Sequence, residues 1–241
     1  ARFLGLRLSG VKTDAQGIVP SALEALCCNQ PVKALYLMPT GLGPHLTVMS
    51  VARRQMLIDI ARRHDIFIIE SDAWGPINPA RSPAFAELAP DQTFYFTGVT
   101  KCLLPGLRLG WLVVPEDHVR VIERIAQNLF ICAPHVSQVA ALAAMDATEE
   151  LEANMEVYRA NRALMIAGLP AAGFDRIAPP DGAFYVYADV SDLTQDSRAF
   201  AAEILEKAGV AVTPGLDFDP VRGHQTLRFS YAGSTADMTE G

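Results

Sequence analysis

A lysine set directly behind an apolar strand is the first residue of this chain that suggests chemistry. Lys101 closes the run Thr97-Gly-Val-Thr-Lys101 and is followed by Cys-Leu-Leu-Pro-Gly-Leu-Arg108. Apolar surroundings disfavour an ammonium, and a lysine relieved of its proton can attack a carbonyl and form a Schiff base. Arg108, entering the next strand, could clamp a phosphate with its planar fork of donors. Asp72 stands at the carboxyl end of an earlier apolar run, Ile66-Phe-Ile-Ile69, within Glu70-Ser-Asp72-Ala-Trp74-Gly. A carboxylate there could hold a pyridine nitrogen protonated and make the ring an electron sink. Taken singly, each residue has a plainer reading: a loop lysine with its amine in water, an arginine in a surface pair, an aspartate capping a turn.

The elements that must carry these residues alternate in type. Residues 5–11 and 32–38 read as strands on either side of a short helix at 21–29. Ser50 caps a helix whose Met56, Leu57, Ile60 and Ala61 share one face, with Arg53, Arg54, Arg62 and Arg63 largely elsewhere. Residues 66–69, 93–96 and 109–114 follow as apolar strands. Strand, helix and strand in repetition predict a mainly parallel sheet flanked by helices, which binds ligands beyond its strands' carboxyl ends. From 116 to about 169 the pattern turns helical, with a break at Pro134 and a long solvated helix from Thr148. An alternating strand at 183–190, a helix at 197–208 and strands at 210–213 and 226–231 then predict a smaller α+β unit.

Composition bounds the rest. Half of the 241 residues are apolar and a fifth are charged, which assures a core and excludes disorder, collagen-like repeats and a disulfide-stapled miniprotein. Twenty Lys and Arg against 27 Asp and Glu give a net charge of −7, the wrong sign for binding nucleic acid through overall charge. Cys27, Cys28, Cys102 and Cys132 form no metal pattern with the five histidines, so no metal is expected and the reduced cytoplasm is the expected compartment. Cys27-Cys28 and Cys102 read as packing residues. The longest uncharged stretch, 127–145, reads as a buried, broken helix and not as a membrane span. The chain opens on Ala1 and ends as a helix starts, which reads as a fragment.

Four motifs, in order, carry a resemblance that covers essentially the whole chain. Pro39-Thr-Gly-Leu-Gly43-Pro44, Ile68-Ile-Glu-Ser-Asp72-Ala-Trp74, Thr100-Lys101 with Pro105-Gly-Leu-Arg108, and Leu227-Arg228-Phe-Ser together resemble fold-type I pyridoxal-phosphate aminotransferases. The resemblance implies an α/β fold with a cofactor-binding large domain over 1–150, incomplete at its start. A connector helix and smaller domain would fill 151–241, incomplete at its end. It implies that Lys101 carries pyridoxal 5'-phosphate as a Schiff base and moves the proton between the substrate α-carbon and the cofactor. Arg108, assisted by Thr100, would bind the phosphate, Asp72 the pyridine nitrogen, and Arg228 the α-carboxylate of the substrate. Asp181-Gly182-Ala183 would wall the pocket. The substrates implied are an amino acid and a 2-oxo acid, in a cytoplasmic, biosynthetic homodimer whose subunits share active sites.

The chain also departs from that pattern. Gly43 replaces an asparagine that supports the ring hydroxyl, and Trp74 replaces a tyrosine that does the same. Gly98 stands where serine is common, three residues before the lysine. Some relatives carry the pyridine-facing aspartate at the position of Ser71. The first 110 residues look most like the aminotransferase-like domain of bacterial GntR-type regulators, whereas the part from Trp111 looks more like aspartate aminotransferases. Two further readings therefore stand beside the enzyme: an effector-binding regulator domain and a degenerate homologue without cofactor.

Overall fold

The computed structural model describes residues 2–42, 47–78, 82–178, 180 and 182–241. They form two compact units that divide between Leu142 and Ala143. Gly43, Pro44 and Asp181, which the sequence singles out, lie outside the described residues.

The first unit is an α/β sandwich around a mixed sheet. Its elements are β1 (Thr13–Asp14), β2 (Gly17–Ile18), α1 (Pro20–Asn29), β3 (Ala34–Leu37), β4 (Thr40–Leu42), β5 (Thr47–Val48), α2 (Val51–Arg63), β6 (Phe67–Ser71), α3 (Phe85–Leu88), β7 (Thr93–Gly98), β8 (Gly110–Val113), α4 (Val119–Phe130) and α5 (His135–Ala144). The main sheet runs β3-β6-β7-β8, with the first two pairings parallel and the last antiparallel. Ile68, at the centre of β6, is wholly buried, as a strand between two parallel neighbours requires. Leu35 and Leu37 of β3 join Leu57, Ile58, Ile60 and Ala61 of α2 in one core. Ser50 starts that helix as expected, its Oγ accepting from the Arg53 N–H at 3.3 Å.

Several expectations are corrected here. Arg54 does not point to water: it is 1% exposed, because positions 54, 57, 58 and 61 fall on one face of α2 and that face meets the sheet. Met56, expected inside, is 53% exposed on the flank of the same helix. Residues 5–11 form no strand, since no described strand pairs with them, and Leu6 and Leu8 are exposed. The broken helix at 127–145 is real, with α4 ending at Phe130 and α5 starting at His135, but it is not buried. Its apolar stripe through Val121, Ile125 and Leu129 is exposed, Leu129 to 75%. No helix of the described residues is long and apolar enough to cross a membrane.

The second unit contains α6 (Thr148–Ala171), β9 (Tyr185–Asp189), α7 (Ser197–Ala208), β10 (Thr213–Pro214), β11 (Thr226–Ser230) and α8 (Thr235–Glu240). Its antiparallel sheet runs β10-β11-β9, which makes β11 the central strand. Asp196 caps α7 by accepting from the N–H groups of Arg198 and Ala199, and Gly209 ends it in the left-handed conformation at φ 72°. Tyr185, Val186, Tyr187 and Ala188 of β9 are all buried, so this strand is covered on both faces and does not alternate. The buried Asn161 of α6 donates to the carbonyls of Tyr231 and Gly233 and accepts from the Thr235 hydroxyl, which ties α6 to the chain before α8.

Candidate active site

β6 and β7 run parallel and end side by side, Ser71 opposite Phe96, and the two candidate residues follow them. Asp72 is the first residue past β6 and is buried. Its N–H donates to the Phe96 carbonyl at 2.9 Å, and its own carbonyl accepts from Thr97 Oγ1 at 2.8 Å. The main chain of Asp72 is thus fastened to β7 on both sides. Its carboxylate Oδ2 accepts from the Tyr95 hydroxyl at 2.9 Å, whereas Oδ1 is buried with no hydrogen-bond partner. A buried carboxylate oxygen without a donor is costly, so such an atom marks a place where a donor belongs.

Two glycines make room around this group. A Cβ on Gly75 would lie 2.1 Å from Asp72 Oδ2, so only glycine lets the carboxylate lie there. A Cβ on Gly41, which sits at φ +93°, would lie 3.0 Å from Cδ1 of the buried Trp74 ring. Lys101 stands in the turn after β7, half-buried, with Nζ 5.1 Å from the centre of that ring. A charged amine is attracted to an indole face at such a distance. The turn is closed by the main chain, because the N–H groups of Leu103 and Leu104 both donate to the Val99 carbonyl. Asp72, Trp74 and Lys101 are therefore brought together, with Thr100 half-buried beside the lysine.

Arg108 is placed differently from expectation. It does not enter β8 but closes the turn Pro105–Leu107 in the left-handed region, at φ 50° and ψ 39°. The Pro-Gly-Leu sequence favours that tight turn, and the residue ending it takes the unusual conformation. Arg108 is exposed, donates to the Pro105 carbonyl at 3.4 Å and pairs with no carboxylate among the described residues.

The glycine three residues before Lys101 has a local reason. Gly98 lies opposite Gly110 in the antiparallel pair of β7 and β8, and a Cβ there would come within 2.8 Å of the Leu109 carbonyl oxygen. A Cβ on Gly110 would lie 2.7 Å from the Thr97 carbonyl oxygen. A serine at 98 does not fit this strand crossing.

Sequence reasoning missed the pair behind the site. Glu70 of β6 and Arg54 of α2 are each 1% exposed and pair at 3.3 Å. Arg54 Nε donates to the Met49 carbonyl, and Glu70 Oε2 accepts from the Ala86 N–H. Burial pushes the Glu70 carboxyl up to about 7, against the opposing pull of the Ala86 N–H and Arg54. The only signal in the sequence was an arginine at a core position of an amphipathic helix.

In the second unit, Arg228 lies on the central strand β11. Its guanidinium carbon is 4.4 Å from the Phe218 ring centre and 5.0 Å from that of Tyr185. One terminal nitrogen donates to Thr213 Oγ1 at 3.3 Å, while Nε is buried and unpartnered. No carboxylate among the described residues pairs with it. Burial pushes the Tyr187 hydroxyl, opposite Arg228, up to about 12, so that hydroxyl stays protonated at neutral pH.

Other features carry less. A groove of about 1220 Å³ lies at the amino ends of β6 and β7, away from Asp72 and Lys101. Ligand atoms of Glu24, Cys28 and His64 lie within 4.8 Å of one another, but Glu24 already pairs with His64 and Arg63. Burial raises the Cys102 thiol, which suits packing and not attack.

These features agree with what the chain is similar to: it belongs to the family of aminotransferase class I and II, whose sequence profile matches residues 46–241. Valine–pyruvate aminotransferase of Mycobacterium tuberculosis is 48% identical over 139 residues, which is 57% of this chain and 36% of that protein. The crystal structure of a Silicibacter pomeroyi protein described as an aminotransferase superposes with a TM-score of 0.90 at 51% identity, covering 99% of this chain and 64% of that one. LysN, the α-aminoadipate aminotransferase of Thermus thermophilus, was solved in complex with N-(5'-phosphopyridoxyl)-L-leucine. It superposes with a TM-score of 0.89 at 26% identity, covering all of this chain and 64% of LysN. The chain thus spans less than two thirds of the length of each of these proteins.

Proposed function

We propose that the intact protein is a pyridoxal-phosphate-dependent aminotransferase that moves an amino group between an amino acid and a 2-oxo acid, as a cytoplasmic homodimer. The observation that carries this reading is the buried Asp72 carboxylate just past β6, with one oxygen held by Tyr95 and the other lacking a donor, while Lys101 in the turn after the neighbouring β7 lies over the Trp74 ring. A protonated pyridine nitrogen is the kind of donor that the free oxygen requires, so these residues fit the group. When bound, pyridoxal phosphate supplies an electron sink for the charge left on the substrate α-carbon once its proton departs.

The chain's own residues then have separate tasks. Asp72 holds the ring nitrogen protonated by charge and hydrogen bond. Lys101 would hold the cofactor through its amine, and Nζ would be the base that takes and returns the α-proton. Trp74 packs beside that amine and keeps water from it. Arg108, unpaired with any described carboxylate, serves the phosphate together with Thr100. Arg228 lacks a carboxylate partner among the described residues yet sits among aromatic rings, which suits a bidentate clamp on the substrate α-carboxylate.

An absorption titration with pyridoxal phosphate, followed by borohydride reduction and peptide mapping, tests the reading. A visible band that maps to Lys101, with amino transfer to a 2-oxo acid, is the expected result. No adduct at Lys101 overturns it, and cofactor uptake without transfer to any amino acid tried overturns the enzyme in favour of effector binding. Arg228→Lys keeps the charge but loses the fork, and it should raise KM for the amino acid about tenfold to a hundredfold with a smaller change in kcat, read by steady-state kinetics.

A further inference from the structure

We propose that Tyr95 is a positioning residue that decides which oxygen of Asp72 meets the cofactor ring, an inference that rests on the aminotransferase reading above. A carboxylate has two equivalent oxygens and rotates about its last bond, so a single interaction does not orient it. Here the rotation is stopped from two directions. The Tyr95 hydroxyl donates to Oδ2 at 2.9 Å, and the missing Cβ of Gly75 leaves a space that Oδ2 fills. The main chain of Asp72 is fixed as well, through the Phe96 carbonyl and the Thr97 hydroxyl. Only Oδ1 remains without a donor.

Tyr95 can hold this position because of where it stands. It lies in β7, paired with Glu70 on one side and Val113 on the other, so its backbone is held by ladders on both edges. Thr97, two residues on, faces the same side and holds the carbonyl of the residue whose carboxylate Tyr95 holds. Alternation along one strand thus aims two hydroxyls at one aspartate. A phenol hydrogen bond also satisfies half of a buried carboxylate without a second charge, and so leaves Asp72 its full charge for the ring nitrogen.

The test compares the intact wild type with Tyr95→Phe, Asp72→Asn and the double variant. Pyridoxal phosphate is titrated into each cofactor-free protein, the pH midpoint of the visible band is recorded, and each cofactor-free protein is melted. Tyr95→Phe should weaken cofactor binding about tenfold and move the pH midpoint, while the cofactor-free protein still melts cooperatively, lowered only by the cost of leaving a buried acceptor without its donor. In the double variant the loss should be no greater than in Asp72→Asn alone, as expected of a hydroxyl whose effect on the cofactor runs through that carboxylate. Unchanged affinity and midpoint in Tyr95→Phe, or additive losses in the double variant, overturn the assignment. So does a weakened affinity matched by a collapsed melt, which would make Tyr95 a packing residue. If the wild type itself takes up no cofactor at Lys101, it is the aminotransferase reading that falls, and the inference falls with it.

Discussion

Replacing Lys101 with alanine in the intact protein lowers turnover by about 10³-fold or more, while the melting temperature stays near that of the wild type. The two halves of this expectation have separate origins. Activity falls because, in the proposed reaction, no other described side chain can both carry the cofactor and move the α-proton. Stability holds because the turn at 99–104 is closed by main-chain bonds from Leu103 and Leu104 to Val99, none of which uses the lysine side chain. Among the interactions lost is the approach of Nζ to the Trp74 ring, worth about 0.5–1 kcal/mol at a partly exposed site. Rates with an amino acid and a 2-oxo acid, together with a thermal melt, check both halves. Full activity in the variant would sink the proposed function.

The second large effect concerns stability and not turnover. At pH 8, Glu70→Ala is expected to cost about 3–5 kcal/mol, because it leaves Arg54 charged and buried with no counter-charge. Denaturant unfolding of variant and wild type measures it, and a loss below about 1 kcal/mol would show that water or another group reaches Arg54. The pH dependence adds a sign. Burial raises the folded-state pKa of Glu70 from its ordinary 4.5 to about 7, so the folded chain holds this proton more tightly than the unfolded chain does. The stability from that proton is fully present below about 4.5 and is lost as pH rises through about 7. Glu70→Gln has no proton to lose there, and its stability should be flatter across the same window.

The buried pair also shows where sequence reading stops. An apolar run followed by Asp72, and another followed by Lys101, were legible because parallel strands place such residues at one edge of a sheet. The helix α7 was legible to its ends, since Asp196 and Gly209 mark both. Arg54 was not, because an arginine on a helix reads as solvated unless its partner is known, and Glu70 lies on a different element. Tyr95 was hidden for a similar reason: inside an apolar strand it reads as packing, and only the fold brings its hydroxyl to Asp72. Residues 5–11 failed in the opposite direction. Their alternation suits a strand, but a strand needs a neighbour, and sequence pattern does not supply one.

The facing glycines at 98 and 110 bear on how this site can change over time. Resemblance to related enzymes suggests serine before the lysine, yet each glycine leaves no room for a single added carbon against the opposite strand. A mutation that introduced the hydroxyl by itself would force β7 and β8 apart and disturb the turn that carries Lys101. Descent by single substitutions is therefore blocked at this position, whatever advantage the hydroxyl would bring. A lineage that gained it would first have to widen the crossing, which makes strand spacing the slow variable and active-site composition its dependent.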